Sequence, residues 1–517
     1  MLKENVWKII CGLLIAVLLL TGCSGSKVPK EQTNGETAKR DDVIIAYVAE
    51  NRELDPHKSS DTITWQTLMQ IFDTLVRIEA DGSISPWLAE SWDVSNDGKE
   101  VLFKIREGVK FHNGDIMTAE DVAYSLNRSI QAPQTAKFTG VFDSAEAIDD
   151  TTVKLKLPNA YAPFLYCLGN PCMSIVSQAA VEQYGDDFGR NPVGTGAYKY
   201  VDWVSGEKLT MTRNEDWWNG QAPIKDVTIR FITDTSTAAI ALEKGEVDFL
   251  HNPAAADLPN LEANPNINVI NGPGAGYYHI SFNNGKESVF HDQALRVAVS
   301  YAIDREAFLM GGIDGNGGIC EFPAAPVAFG YNPNFKQNEY NLEHAKKLLA
   351  EAGYPEGSLN VRIRTNENPQ YAKPCEILQE ALRQIGIKST LEPLERATYL
   401  DEVTRNFDYD ITIYLITASV PDCDYTMYTR LHSKMLGAGN NFTQTNIPEL
   451  DEILDRARIS QDPEERKQLY TEAAQIVKES ATLIPILHNA YNNAFNKDLK
   501  GCQYHCINYH FFYELSW

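Results

Sequence analysis

The stretch Val101-Leu102-Phe103-Lys104-Ile105-Arg106-Glu107-Gly108-Val109-Lys110-Phe111-His112-Asn113-Gly114, followed by Thr118-Ala119-Glu120-Asp121-Val122, decides how the chain is read. Val101, Phe103 and Ile105 alternate with Lys104 and Arg106, the period of a strand with one buried and one wet face. Upstream, Trp92 and Val94 run into Asn96-Asp97-Gly98, a combination that favours the tight turn of a hairpin. Downstream, Asn113-Gly114 turns the chain again. Thr118 then offers a side-chain oxygen to the free backbone N–H groups of a helix start, and an acid at the third helical position suits that end. Strand, turn and capped helix follow without a break. The chain is mixed α and β.

The same signals extend outward. Val43-Ile44-Ile45-Ala46-Tyr47-Val48 reads as a buried strand, and Thr62 to Val76 carries Trp65, Leu68, Met69 and Phe72 at helical intervals. Val153, Leu155 and Leu157 form another alternating strand. Asn341 and Gly353 bracket a helix bearing Ala345, Leu348, Leu349 and Ala352. Asp462-Pro463-Glu464-Glu465 starts a further helix with a capping Asp and a Pro at its first position. Gly272-x-Gly274-x-Gly276 lacks the dinucleotide-binding fingerprint and reads as a turn before a strand. There is no internal repeat, and the length asks for at least two cores.

The N-terminus gives an address. Lys3 and Lys8 precede the apolar run Ile9 to Leu20, which is shorter than the roughly 20 residues a spanning helix needs. It has the length of a signal-peptide core, so residues 1–22 are read as a signal peptide. Leu20-Thr21-Gly22-Cys23 resembles a bacterial lipobox, with Cys23 acylated as the mature N-terminus. Residues 23–40 then form a polar tether. The expected location is outside the cytoplasm, with the body anchored to the cell membrane through the lipid on Cys23.

Composition narrows the partners. Forty-six basic and 70 acidic residues give a formal net charge of −24, which argues against nucleic acid. Of nine cysteines, seven remain beyond Cys11 and Cys23, an odd number that excludes complete pairing within the chain. Cys167/Cys172 and Cys502/Cys506 are spaced for local disulfides, with free thiols the plainer reading. No Gly-x-Ser-x-Gly elbow, His-Glu-x-x-His or phosphate-binding loop points to an enzyme. No cofactor and no metal site are expected, and the protein is read as a monomer.

The motifs align, in order, with one family. Leu54-Asp55-Pro56-His57, Pro86-Trp87-Leu88-Ala89-Glu90-Ser91-Trp92, the opening stretch and Thr118-Ala119-Glu120-Asp121-Val122 resemble the bacterial extracellular solute-binding proteins of family 5. Asn191-Pro192-Val193-Gly194-Thr195-Gly196-Ala197-Tyr198, Arg213-Asn214-Glu215-Asp216-Trp217-Trp218, Ala241 to Asp248 and Ala298 to Glu306 continue the match. The resemblance implies an α/β, bilobal, hinged periplasmic-binding-protein-like fold of type II, in its large peptide-binding subclass. Lobe I would comprise 41–71, an inserted subdomain at 72–187, 188–278 and a C-terminal return at 487–517, with lobe II at 279–486. It also implies capture of a small solute between the lobes and delivery to an ABC permease and ATPase, without chemistry. A ligand-sensing lipoprotein with the same clamp, or a nickel-chelate binder, are the alternatives.

The resemblance points to Trp65, Tyr277, Tyr278, Asn283, Ala418, Ser419 and Tyr425 as cleft residues. In the family's peptide binders an Asp pairs with the peptide's terminal ammonium; here Ser419 falls at that position. A hydroxyl cannot replace that charge, and an uncompensated buried ammonium costs several kcal/mol. Either Asp422 or Asp424 substitutes, or the ligand is a modified peptide or other solute not held by a free N-terminus. The latter is preferred. The nickel-type Arg position falls on Cys172, and His432 stands alone as a metal-ligand candidate.

Overall fold

Two strands much longer than the rest, Ile267–Phe282 and Leu483–Asn496, organise the molecule. In the computed structural model, which describes residues 40–437 and 440–517, they run antiparallel at the centre of an 11-stranded sheet. The signal peptide, Cys23 and all but the last residue of the tether lie outside the described residues. No helix among the described residues is long and apolar enough to cross a membrane.

In spatial order the sheet runs Lys388–Leu394, Asn360–Asn366, Ile411–Thr417, Ile267–Phe282, Leu483–Asn496, Phe249–His251, Asp42–Tyr47, Asp226–Phe231, Lys208–Arg213 and Tyr198–Val204, with Gly317–Ile319 added beside Leu483–Asn496. Asp42–Tyr47 lies parallel to both its neighbours, as does Asn360–Asn366. Parallel neighbours require long connections, and these supply the helices that cover the sheet.

The two long strands belong to both halves of the molecule. Ile267 and Ala494, at one end of the pair, pack with Ala46, Ala238 and Leu250. At the other end, Ile280, Phe282 and Ile486 join a separate core with Leu295, Ile363, Leu378 and Ile411. The larger core of the first half gathers Ile45, Trp65, Phe103, Tyr198 and Ile229. Burying each such large side chain contributes roughly 1.5–3 kcal/mol. Each half therefore holds itself together, while few strands cross between them.

Between Asp42–Tyr47 and Tyr198–Val204 the chain builds a second, four-stranded antiparallel sheet, Ala89–Val94, Glu100–Ile105, Thr152–Lys156 and Ser144–Asp149 in spatial order. Its hairpin turns at Asn96-Asp97-Gly98, and Val101, Phe103 and Ile105 are buried. Helix Ala119–Gln131 begins with a complete capping box, Thr118 and Asp121 each accepting from the other's backbone N–H. Asp462 and Asn341 cap their helices as well.

Two local expectations change. The helix at Thr62 ends at Ile71, because Phe72 is extended and Val76 opens a strand. Gly272 to Gly276 is not a turn: it lies inside Ile267–Phe282, where the register against Leu483–Asn496 slips between Pro273 and Tyr277. Side chains there would collide with neighbours, since a Cβ on Gly274 would stand 2.4 Å from Asn489 Oδ1. The plainer reading of the cysteines holds: Cys167, Cys172, Cys320, Cys375, Cys423, Cys502 and Cys506 are all free thiols, six of them buried.

Candidate functional site

A cavity of about 500 Å³ opens beside the slipped register, where the two long strands pass between the halves. Val48 and Asn252, each directly after a strand end, contribute from the first half. Asp314, Gln370 and Lys373 contribute from the second, and Tyr278 and Asn489 to Asn492 come from the two crossing strands themselves. The backbone explains these placements. Asn252 adopts a left-handed conformation, φ 53°, which Asn tolerates better than most residues, and its N–H donates to Asn493 Oδ1 at 3.3 Å. Asn368 caps helix Pro369–Gln384, which brings Gln370 and Lys373 to the cavity in its first turns.

Electrically the wall is close to neutral. Among the described residues, Lys373 and Asp314 are its only charged side chains, and they pair with each other at 2.9 Å. The other polar groups are amides, hydroxyls and backbone. Asn492 Nδ2 donates to Asn316 Oδ1 at 3.1 Å, while the buried Asn492 Oδ1 has no partner. Burial pushes the Tyr278 hydroxyl up to about 12, so it stays protonated.

Of the residues singled out from sequence, Tyr278 lines this cavity. Tyr277 points to the opposite face of the strand, fully buried against Cys320 and Ile416, because successive strand side chains alternate. Ala418 donates its N–H to the Ala275 carbonyl at 3.0 Å and packs, with Tyr425 beside it, in a small apolar group containing Ile78, Cys506 and Tyr509. The Ser419 carbonyl accepts from Asn170 Nδ2 at 3.3 Å. Trp65 is a core residue, its indole N–H donating to the Ser59 carbonyl and its ring edge-on to Phe138. Asn283 ties the end of its strand to the Phe407 and Tyr409 carbonyls. The cavity amides Asn252, Asn316, Asn489 and Asn492 escaped sequence reasoning. Their one signal was the run His488-Asn489-Ala490-Tyr491-Asn492-Asn493, rich in a residue that strands otherwise avoid.

The two acids after Ser419 are already committed. Asp422 is fully buried and accepts from Arg466 Nη2 at 2.8 and 2.9 Å and from the Tyr470 hydroxyl at 3.2 Å. Burial raises its carboxyl, and Arg466 offsets that rise. Asp424 accepts from the Tyr161 hydroxyl at 3.0 Å and lies 3.6 Å from Arg458; burial pushes it up to about 6. His432 sits buried beside Asp451 and Asp455, and its Nδ1 accepts from the Lys434 N–H. Among the described residues no group of three or more His, Cys, Asp or Glu side chains is placed to hold a metal ion.

Residues 83–438 match the model of the bacterial extracellular solute-binding proteins, family 5, middle region. The chain belongs to that family. Heme-binding protein A of Haemophilus influenzae is 28% identical to it over 478 residues, covering 86% of this chain and 87% of the relative. Glutathione-binding protein GsiB of Escherichia coli K12 is also 28% identical over 478 residues, covering 89% and 91%. Among solved structures, HbpA2 from Haemophilus parasuis superposes with a TM-score of 0.84 at 26% identity, covering 92% of this chain and 99% of that one. The ABC transporter-associated periplasmic binding protein DppA from Helicobacter pylori, in complex with the peptide STSA, gives 0.76 at 28% identity, with 92% and 98% covered. This family 5 protein thus has the type II, bilobal binding-protein fold. It is a solute-binding protein, not an enzyme.

Proposed function

We propose that this protein captures a peptide-like or other small solute in the cleft between two hinged lobes and hands it, unaltered, to its permease. The observation that carries the reading is the cavity whose walls come from both halves of the sheet and whose floor is the crossing strand. Lobe I takes residues 41–278, including the insert at 72–187, and the return at 487–517; lobe II takes 279–486. Gly274 to Gly276, with few side chains and a slipped register, supply the hinge. Closure is a population shift, driven only by contacts the ligand makes better when the lobes meet. The protein is a monomer held at the membrane by a lipid on Cys23.

Ser419 and the pairing of Asp422 and Asp424 with arginines support a ligand that is not held by a free terminal ammonium. The Escherichia coli relative is named for glutathione, the Haemophilus influenzae relative for heme and the Helicobacter pylori structure for a peptide, so the fold serves varied solutes. Calorimetry with unmodified dipeptides tests this part: weak or absent binding is expected, and micromolar affinity contradicts it. Cys23→Ala should release the protein into the medium; retention at the membrane would refute lipidation.

A further inference from the structure

We infer that the cleft recognises an uncharged solute through amide and aromatic groups, with no ion pair to the protein. This rests on the clamp reading above and names the ligand class it would hold. The cavity, about 500 Å³, falls within the span of small-ligand sites, about 300–1,000 Å³. Its only charged lining residues among those described, Asp314 and Lys373, pair with each other at 2.9 Å, so these residues bring no net charge to the wall. A ligand ammonium or carboxylate would lose water there and find no dedicated counter-ion.

What the wall does offer is neutral hydrogen bonding. Asn252, Asn316, Asn489 and Asn492 line it; Asn316 Oδ1 and Asn489 Oδ1 already accept from Asn492 Nδ2 and the Gly276 N–H, so Asn316 and Asn489 offer their NH2 groups as donors, which suit hydroxyl or carbonyl oxygens. Asn492 is only 2% exposed, its Nδ2 is held by Asn316, and its Oδ1 has no partner. A buried acceptor left unmatched costs about 1–3 kcal/mol, and since this oxygen is closed off from solvent, an O–H or N–H of a ligand reaches it only when Asn492 turns toward the cavity. Tyr278 and Tyr491 add flat apolar surface with protonated hydroxyls. Amides plus ring faces suit an oligosaccharide or a peptide blocked at both ends, the two sources of the same neutral chemistry.

The experiment is titration calorimetry of the folded protein against neutral di- to tetrasaccharides, doubly blocked di- and tripeptides, and the same peptides with free termini. At least one neutral probe should bind, and its set says which source is correct. Its affinity should change less than about twofold between about 20 and 200 mM salt, because no ion pair is screened. Asn492→Ala and Asn316→Ala should each weaken it about tenfold. Thermal denaturation of both Asn variants separates lost contacts from lost folding. Binding confined to charged peptides, falling with salt and abolished by Lys373→Met or Asp314→Asn, would overturn the inference and leave the clamp intact. Failure of every neutral probe at millimolar concentration would also overturn it, and failure of all probes would take the clamp reading down as well.

Discussion

The loop Ile416 to Tyr425 and the crossing-strand wall Asn489 to Asn492 meet at Ala275 and Gly276, yet they treat polarity in opposite ways. Ala418 donates to the Ala275 carbonyl, and Asn489 Oδ1 accepts from the Gly276 N–H at 2.9 Å. Beyond that shared point the loop carries charges held by other side chains: Asp422 by Arg466 and Tyr470, and Asp424 by Tyr161 and the nearby Arg458 through Oδ2, with Asp424 Oδ1 left without a hydrogen-bond partner. The wall carries amides, and one of its buried acceptors is open. The loop's charges are tied to other side chains, whereas the wall presents neutral hydrogen-bonding groups.

If the interior depends on keeping unmatched groups neutral, acid should break it most. His57 and His251 in the first half are held at about 4, and His279 in the second at about 3, chiefly by burial. His57 Nδ1 accepts from Arg128 at 2.8 Å and its Nε2 donates to the Ser174 carbonyl, an arrangement that needs the neutral ring. These values lie below the ordinary 6.5, so between them the unfolded chain binds more protons than the folded one. Stability is therefore full above pH 6.5 and falls as pH drops toward 4, by up to about 1.4 kcal/mol per unit for each ring. Urea melts at a series of pH values measure this; a flat profile would contradict it.

The next largest effect belongs to the loop. Asp422→Ala strands the buried Arg466 guanidinium and should cost about 3–5 kcal/mol, whereas a loss below about 1 kcal/mol would mean the pair is not structural. At the meeting point, Gly276→Ala places a Cβ 2.8 Å from Asn489 Oδ1 and 2.9 Å from the Ile416 carbonyl. Overpacking of that kind should cost about 1–3 kcal/mol by chemical denaturation. The smallest stability effect belongs to the wall: Asn492→Ala should change folding by less than about 1 kcal/mol, since it removes an unmatched acceptor along with one hydrogen bond. Equal losses for Asp422→Ala and Asn492→Ala would erase the contrast.

The comparison also marks what sequence can reveal. Caps at Thr118, Asn341 and Asp462, and the hairpin at Asn96 to Gly98, obey rules that act within a few residues, so they were legible. The motif order carried the family. Asp422 meets Arg466 across 44 positions of chain, and no local pattern announces that pairing. Tyr277 and Tyr278 are adjacent in sequence but face opposite sides, which only the strand register decides. Gly274 and Gly276 look like a turn because glycine usually marks one; here they make room for Asn489 in the middle of a strand. Asn489 and Asn492 look misplaced in a strand until the cavity beside them is seen.

Native mass spectrometry of the protein isolated from its own cells, beside an Asn316→Trp variant that fills the cavity, tests the clamp most directly. The wild type should carry one small molecule per chain, released intact on denaturation, and the variant should carry none. The same adduct on both proteins, or a bound mass that changes with incubation, would contradict the account.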